Sequence, residues 1–190
     1  MLKRWPKTVI QWEDLSKDVA FTVLDRYRDR LPSFNDDIQG TGAVALAGLL
    51  SACRIKKEQM KNQNIVVMGA GAGGIGVAWA ITQGLIREGL SEEEARARVF
   101  VLDSRGLLVE GRAMDLHKEL YAQAAERIAD WRFEGQVPNL LEVIENGRVT
   151  ALLGLSGQAS AFNQPIVEAV SRNTAQPIIF PLSNPTSISE

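Results

Sequence analysis

Ile65-Val66-Val67-Met68-Gly69-Ala70-Gly71-Ala72-Gly73-Gly74-Ile75 joins an apolar run to a glycine-rich turn. Four apolar residues closed by glycine read as a short buried strand, and the apolar pattern of residues 75–86 has helical spacing. Gly69, Gly71 and Gly74 fit G-x-G-x-x-G, with a strand before it and a helix after it. Gly69 permits the tight turn, Gly71 lets a pyrophosphate approach the backbone, and Gly74 lets the helix pack closely on the strand. The helix that runs on from Ile75 directs free N–H groups and its positive dipole end at the anion. A nicotinamide dinucleotide is the expected ligand. A flavin site, an S-adenosylmethionine site or a glycine-rich turn without a ligand are the alternatives.

Residues 99–102 form the next strand, and Asp103 closes it, placed to accept hydrogen bonds from the adenosine ribose. Asp103 stands 29 positions after Gly74, rather than about 20. An extra helix over 91–98, opened by the capping box Ser91 and Glu94, accounts for the difference. Asp103 repels a ribose phosphate, whereas Ser104 and Arg105 beside it offer groups that would bind one. NAD is favoured over NADP.

Further strands are expected at 149–155, ending in Ser156 and Gly157, and at 177–182, ending in Ser183, Asn184 and Pro185. Helices are expected at 116–128, 139–144 and 166–170. Alternating strands and helices imply right-handed crossovers and a parallel sheet covered on both faces. The fold class is α/β, a Rossmann-like doubly wound parallel sheet.

Upstream, residues 8–12 read as a strand. A helix begins at Leu15, carries Val19, Val23 and Leu24 on one face, and is ended by Pro32. Residues 33–42 read as a polar loop and 43–53 as a nearly all-apolar, buried helix. The boundary is set near Asn35. Residues 1–35 are a strand–helix remnant of a second domain, and 36–190 are the dinucleotide-binding domain.

The 190 residues are 45% hydrophobic and 23% charged, with a net charge of −2, which excludes a wholly disordered chain. That balance gives no strong attraction to nucleic acid or an anionic membrane. No stretch reads as long and apolar enough to span a membrane. The basic residues 1–7 run straight into a strand pattern and do not read as a signal peptide, so a cytoplasmic location is expected. The single Cys53 excludes an intrachain disulfide and lies in an apolar stretch, as a buried thiol would. The single His117 weakens any mechanism needing a histidine pair. Trp5, Trp12, Trp79 and Trp131 read as core or interface residues, with Trp12 exposed beside Val9 and Ile10 if the rest of a domain is missing.

Two acidic pairs remain, Glu13-Asp14 and Asp36-Asp37. Clustered carboxylates without histidine or cysteine partners suit a hard divalent ion such as Mg or Mn. Spacing does not decide whether the pairs meet. Otherwise Asp14 caps the following helix and the rest are solvated.

The block Phe34-Asn35-Asp36-Asp37-Ile38-Gln39-Gly40-Thr41-Gly42 resembles the acidic signature of malic enzymes and the related malolactic enzymes. Gln11-Trp12-Glu13-Asp14 and Leu182-Ser183-Asn184-Pro185-Thr186 resemble their upstream and downstream segments. The glycine loop and 153–158 (LGLSGQ) fall in the same order between them. The resemblance implies metal ligands Glu13, Asp14 and Asp37, with Asp36 beside the family's catalytic lysine. It implies that Asn184 contacts the substrate carboxylate or the nicotinamide ribose. It places the loop holding Ser156 and Gly157 along the dinucleotide. The implied reaction is metal-dependent oxidation of L-malate by NAD or NADP and its decarboxylation to pyruvate and CO2. The alternatives are conversion of malate to lactate with retained NAD, and a non-catalytic dinucleotide-binding module. The family's chains are longer. The tyrosine and lysine resembling its general acid and base, and an arginine that holds malate, match nothing in this sequence. A fragment inactive alone is the expectation, from an enzyme that is a homo-oligomer at full length.

Overall fold

The computed structural model describes residues 3–185, 187, 189 and 190; Thr186 of the downstream segment lies outside them. The chain runs through β1 (Ile10–Trp12), α1 (Lys17–Tyr27), β2 (Ser33–Asn35), a π-helical turn (Asp36–Gly40) and α2 (Thr41–Lys56). It continues through β3 (Ile65–Met68), α3 (Ala72–Arg87), α4 (Glu92–Ala97), β4 (Val99–Asp103), β5 (Gly106–Leu107) and α5 (Leu116–Glu119). It ends through α6 (Leu140–Gly147), β6 (Ala151–Gly154), α7 (Gln164–Asn173) and β7 (Ile178–Pro181).

Five strands form one sheet in the order β5-β4-β3-β6-β7. All pairs are parallel except β4–β5, a two-residue antiparallel edge that the sequence reading did not contain. The doubly wound expectation is correct, and the period of two explains why. Ile65, Val67, Val99, Val101, Ala151 and Leu153 point to the face covered by α2 and α3. Val66, Phe100, Leu102 and Leu152 point to the face covered by α6 and α7. Strands buried on both faces read as continuous apolar runs. A separate two-stranded sheet, β1 beside β2, is also parallel.

Several expectations are corrected. Residues 33–42 are not a loop: Asn35 Oδ1 accepts the Ile38 N–H at 2.9 Å, and the chain passes directly from β2 into helix. The helical stretch Asp36–Lys56 is then 21 residues, long and apolar enough by length and composition to cross a membrane. The acidic pair in its first turn masks this length in the sequence. Nor is α2 wholly buried. Ala45, Leu49 and Cys53 face the core, while Val44 and Ile55 face outward. An all-apolar helix has no polar stripe to announce which side is solvated.

Residues 116–128 are not one helix. α5 is a single turn, after which Gln123 N–H donates to the Leu108 carbonyl at 2.8 Å. The buried Gln123 amide donates to the carbonyls of Arg96 and Val99 at 3.2 and 3.0 Å. These long-range hydrogen bonds override local helical preference. Cys53 is buried as expected, and burial pushes its thiol up against the opposing pull of Lys56. His117 stacks on Phe21 at 3.9 Å between centroids. Trp12 stacks on Tyr27 and is half-buried rather than exposed, while Val9, Trp5 and Trp79 are exposed.

Candidate dinucleotide site

β3 connects forward to β4 on one side, while β6 pairs on its other side. The sheet order therefore reverses between β3 and β6, where doubly wound folds leave a crevice beyond the strand ends. Met68 pairs with both Leu102 and Gly154, so the three strands end level. Gly69 N–H donates to Leu102 at 2.8 Å and Leu155 N–H to Met68 at 2.7 Å, launching both loops from that line. A cleft of about 300 Å³ opens there, lined by Met68 to Gly71, Asp103, Ser104, Lys118, Leu155, Ser156 and Gln158.

Each motif glycine has a distinct physical reason. Gly69 has φ +116, and a Cβ there would strike the Leu155 carbonyl. A Cβ on Gly74 would strike the Gly69 carbonyl, so the helix starts hard against the turn. A Cβ on Gly71 would meet nothing within 4 Å, because it would stand in the open space before the loop. The first N–H of the α3 ladder is that of Ile75, donated to Gly71 at 3.0 Å. The preceding N–H groups, of Ala72, Gly73 and Gly74, therefore have no intrahelical acceptor. The Ile75 side chain is buried in the core and its N–H is committed to the helix. Ile75 shapes the turn and offers no group to a ligand.

Asp103 is more heavily engaged than the strand-end rule implies. One carboxylate oxygen accepts the Arg105 N–H at 2.9 Å. The other pairs with Arg112 and, at 3.5 Å, with Lys118. Burial pushes this carboxyl up, but the Arg105 N–H, Arg112 and Lys118 outweigh it and hold it below its ordinary value. It is therefore an ionised acceptor backed by three cations, Arg112, Lys118 and, at 3.9 Å, the Arg105 guanidinium. Nothing in the sequence at 9 and 15 positions downstream marks Arg112 and Lys118 as partners of Asp103.

Across the crevice, Gly157 N–H donates to the Ser183 hydroxyl at 2.9 Å, joining the loop after β6 to the loop after β7. Asn184 follows Ser183 directly and is exposed. The structure thus gathers Gly69, Gly71, Asp103, Ser104 and Ser156 around one cleft, with Gly157 and Asn184 at its β7 side.

The acidic pairs converge, which spacing alone left open. β1 and β2 are parallel with Trp12 opposite Asn35, so Glu13-Asp14 and Asp36-Asp37 leave the same end. Asp14 N–H donates to Asp37 Oδ2 at 3.1 Å, with Asp14 at φ +55. The Asp37 carbonyl stands beside Gly73, so this acidic end adjoins the glycine loop. Hard carboxylate oxygens suit a divalent ion. Yet Glu13, Asp14 and Asp37 do not converge as three ligands: among the described residues no group of three His, Cys, Asp or Glu is placed to hold a metal. Gln11 holds the Glu13 carboxylate at 2.9 Å, and one Asp37 oxygen is taken by the Asp14 N–H. Asp36 folds its carboxylate over Gly40.

Residues 38–190 match the family model described as malic enzyme, NAD binding domain. The chain belongs to the malic enzyme family. It is 44% identical over 187 residues to an NAD-dependent malic enzyme of Pectobacterium atrosepticum and 43% identical to one of Proteus mirabilis. Each alignment covers 97% of this chain and 33% of the relative, so the chain spans about a third of their length. The crystal structure of an NAD-dependent malic enzyme from Thermotoga maritima superposes with a TM-score of 0.71 at 24% identity, over 95% of this chain and 43% of that one. That likeness shows a shared fold. The malic enzyme NAD-binding domain therefore accounts for the five-stranded sheet and the crevice between β3 and β6.

Proposed function

We propose that this chain binds NAD in the crevice between β3 and β6 and forms the cofactor side of a malic enzyme that converts L-malate to pyruvate and CO2. The observation that carries this reading is Gly71, the one motif glycine whose missing side chain would stand in open space before the loop. Gly69 and Gly74 are required by the protein's own backbone, whereas Gly71 answers to something outside it.

In this reading the N–H groups of Ala72 to Gly74 hold the pyrophosphate. Asp103 accepts from the adenosine ribose hydroxyls, and its charge disfavours the extra phosphate of NADP. The loop at Ser156 and Gly157 then borders the nicotinamide half, which lies on the β6 side of the glycine turn. Asn184 offers its amide N–H to the substrate carboxylate or the nicotinamide ribose. Residues 1–35 belong to a substrate- and metal-binding domain and 36–190 to the cofactor domain. Glu13, Asp14 and Asp37 are the residues that the family resemblance assigns to Mg or Mn, but as placed here they do not converge as a ligand set, so no step is drawn through a metal. Asp36, whose carboxylate lies over Gly40 here, would by the family resemblance stand beside the catalytic lysine. Oxidation of malate also needs a group that takes the hydroxyl proton, worth about 10² to 10⁴ in rate. No residue of this chain matches that motif, so it binds NAD without turning malate over by itself.

Calorimetric titration of NAD into the wild-type chain and Gly71→Val tests the proposal. Gly71 is extended, at φ −82, in a region valine adopts freely. The expected result is an unchanged melting temperature with affinity down about tenfold or more, ~1.4 kcal/mol. Equal affinity in the two proteins, or no binding by either, overturns it.

A further inference from the structure

The loops after β6 and β7 are joined by a side chain that neither the glycine motif nor the acidic signature includes. Glu190 Oε1 accepts the Ser156 N–H at 2.6 Å, the Ser156 hydroxyl at 2.7 Å, the Gly157 N–H at 3.1 Å and the Ser183 hydroxyl at 2.7 Å. Four donors from two loops lie within reach of Oε1, the Gly157 N–H being divided between it and the Ser183 hydroxyl, while Oε2 is buried without a hydrogen-bond partner. Ser183 is shared, since it accepts from Gly157 as it donates to Glu190. The segment is anchored a second time where Ser160 N–H donates to the Ser189 carbonyl at 3.2 Å. Room for the carboxylate comes from Gly154: a Cβ there would come within 2.5 Å of Glu190 Oε2.

We propose that Glu190 is a positioning residue for the nicotinamide half of the dinucleotide, setting the Ser156–Gly157 peptide and the Ser183–Asn184 segment at a fixed separation. The inference rests on the NAD-binding reading. The topology supplies the side of the site: β4 with Asp103 lies to one side of β3, and β6 and β7 lie to the other. Ser156 lines the cleft, and both its N–H and its hydroxyl donate to Glu190. Burial pushes the Glu190 carboxyl up, but the hydroxyls of Ser156 and Ser183 and the Ser156 N–H outweigh it and keep it ionised. A charged acceptor makes stronger hydrogen bonds than a neutral one, so the network depends on the carboxylate and not only on its shape.

The experiment compares wild type, Glu190→Gln, Glu190→Ala and Ser183→Ala by calorimetry with two probes, NAD and ADP. ADP carries the adenosine and the pyrophosphate but no second ribose or nicotinamide. All three variants are expected to lose roughly ten- to a hundredfold in NAD affinity and to keep ADP affinity within about twofold. Glu190→Gln keeps the shape and one acceptor, so its selective loss separates the charge from packing. Parallel loss of NAD and ADP overturns the inference by making Glu190 a general structural residue. Unchanged or tighter NAD binding also overturns it, the latter by showing that the carboxylate competes for the donors. If the wild-type chain binds neither probe, the dinucleotide reading has failed instead.

Discussion

Asp103 and Arg112 are both nearly buried, their side chains 10% and 13% exposed. Replacing one partner of such a pair leaves the other charge without compensation, which costs more than the pair contributes. Asp103→Asn is therefore expected to lower stability by roughly 3 kcal/mol, read as a fall in denaturant midpoint. The pH dependence has a definite sign. The folded Asp103 carboxyl titrates below its ordinary value of 3.8. Its contribution is full above that value and is lost as pH falls through the folded one. Wild type should lose stability below about pH 4, and the part due to Asp103 should be missing from Asp103→Asn. Asp103 was legible in the sequence because it closes an apolar strand. Arg112 was not, since only the turn through β5 carries it back to Asp103.

At the level of elements, α2 and α3 cross through glycine. A Cβ on Gly42 would lie 2.7 Å from the Gly76 carbonyl, and one on Gly76 would strike the Ile38 carbonyl. Backbone stands on both sides of that contact, so no side-chain rotamer relieves it. Gly76→Ala is expected to cost about 3 kcal/mol or more, in the upper range for overpacking. Gly89→Ala, at φ +98 with nothing within 4 Å, should cost only about 1 kcal/mol from backbone strain. Thermal melts of the two variants separate collision from strain. The cofactor glycines could be read because G-x-G-x-x-G packs its reasons into six residues. Gly76 lies just beyond the motif, and its reason stands 38 positions upstream.

Across the whole molecule, the face of the sheet under α2 and α3 forms one cluster, and Tyr121 is part of it. Burial pushes the Tyr121 hydroxyl up to about 12, with Arg96 opposing weakly. A phenol raised on folding contributes stability that is complete below its unfolded value of 10.0 and lost as pH rises toward 12. Cooperative alkaline unfolding should coincide with phenolate absorbance in that window, and Tyr121→Phe should shift the midpoint to higher pH. Unfolding that ignores the substitution would place the alkaline weakness elsewhere.

The doubly wound sheet, the glycine turn with its helix, and Asp103 at a strand end are all legible in the residues alone. Each depends on residues close together in the chain, whose periodicity and backbone freedom act locally. Only the tertiary structure decided that the two acidic pairs share one end, because that needs parallel pairing of β1 with β2 across 23 positions. It also decided that Gln123 breaks an apparent helix, that α2 keeps an apolar face outward, and that Glu190 reaches back 34 positions to Ser156. Local pattern says which face of an element is apolar. Which side chains meet depends on how the packed elements lie against one another, and no window of neighbouring residues contains that geometry.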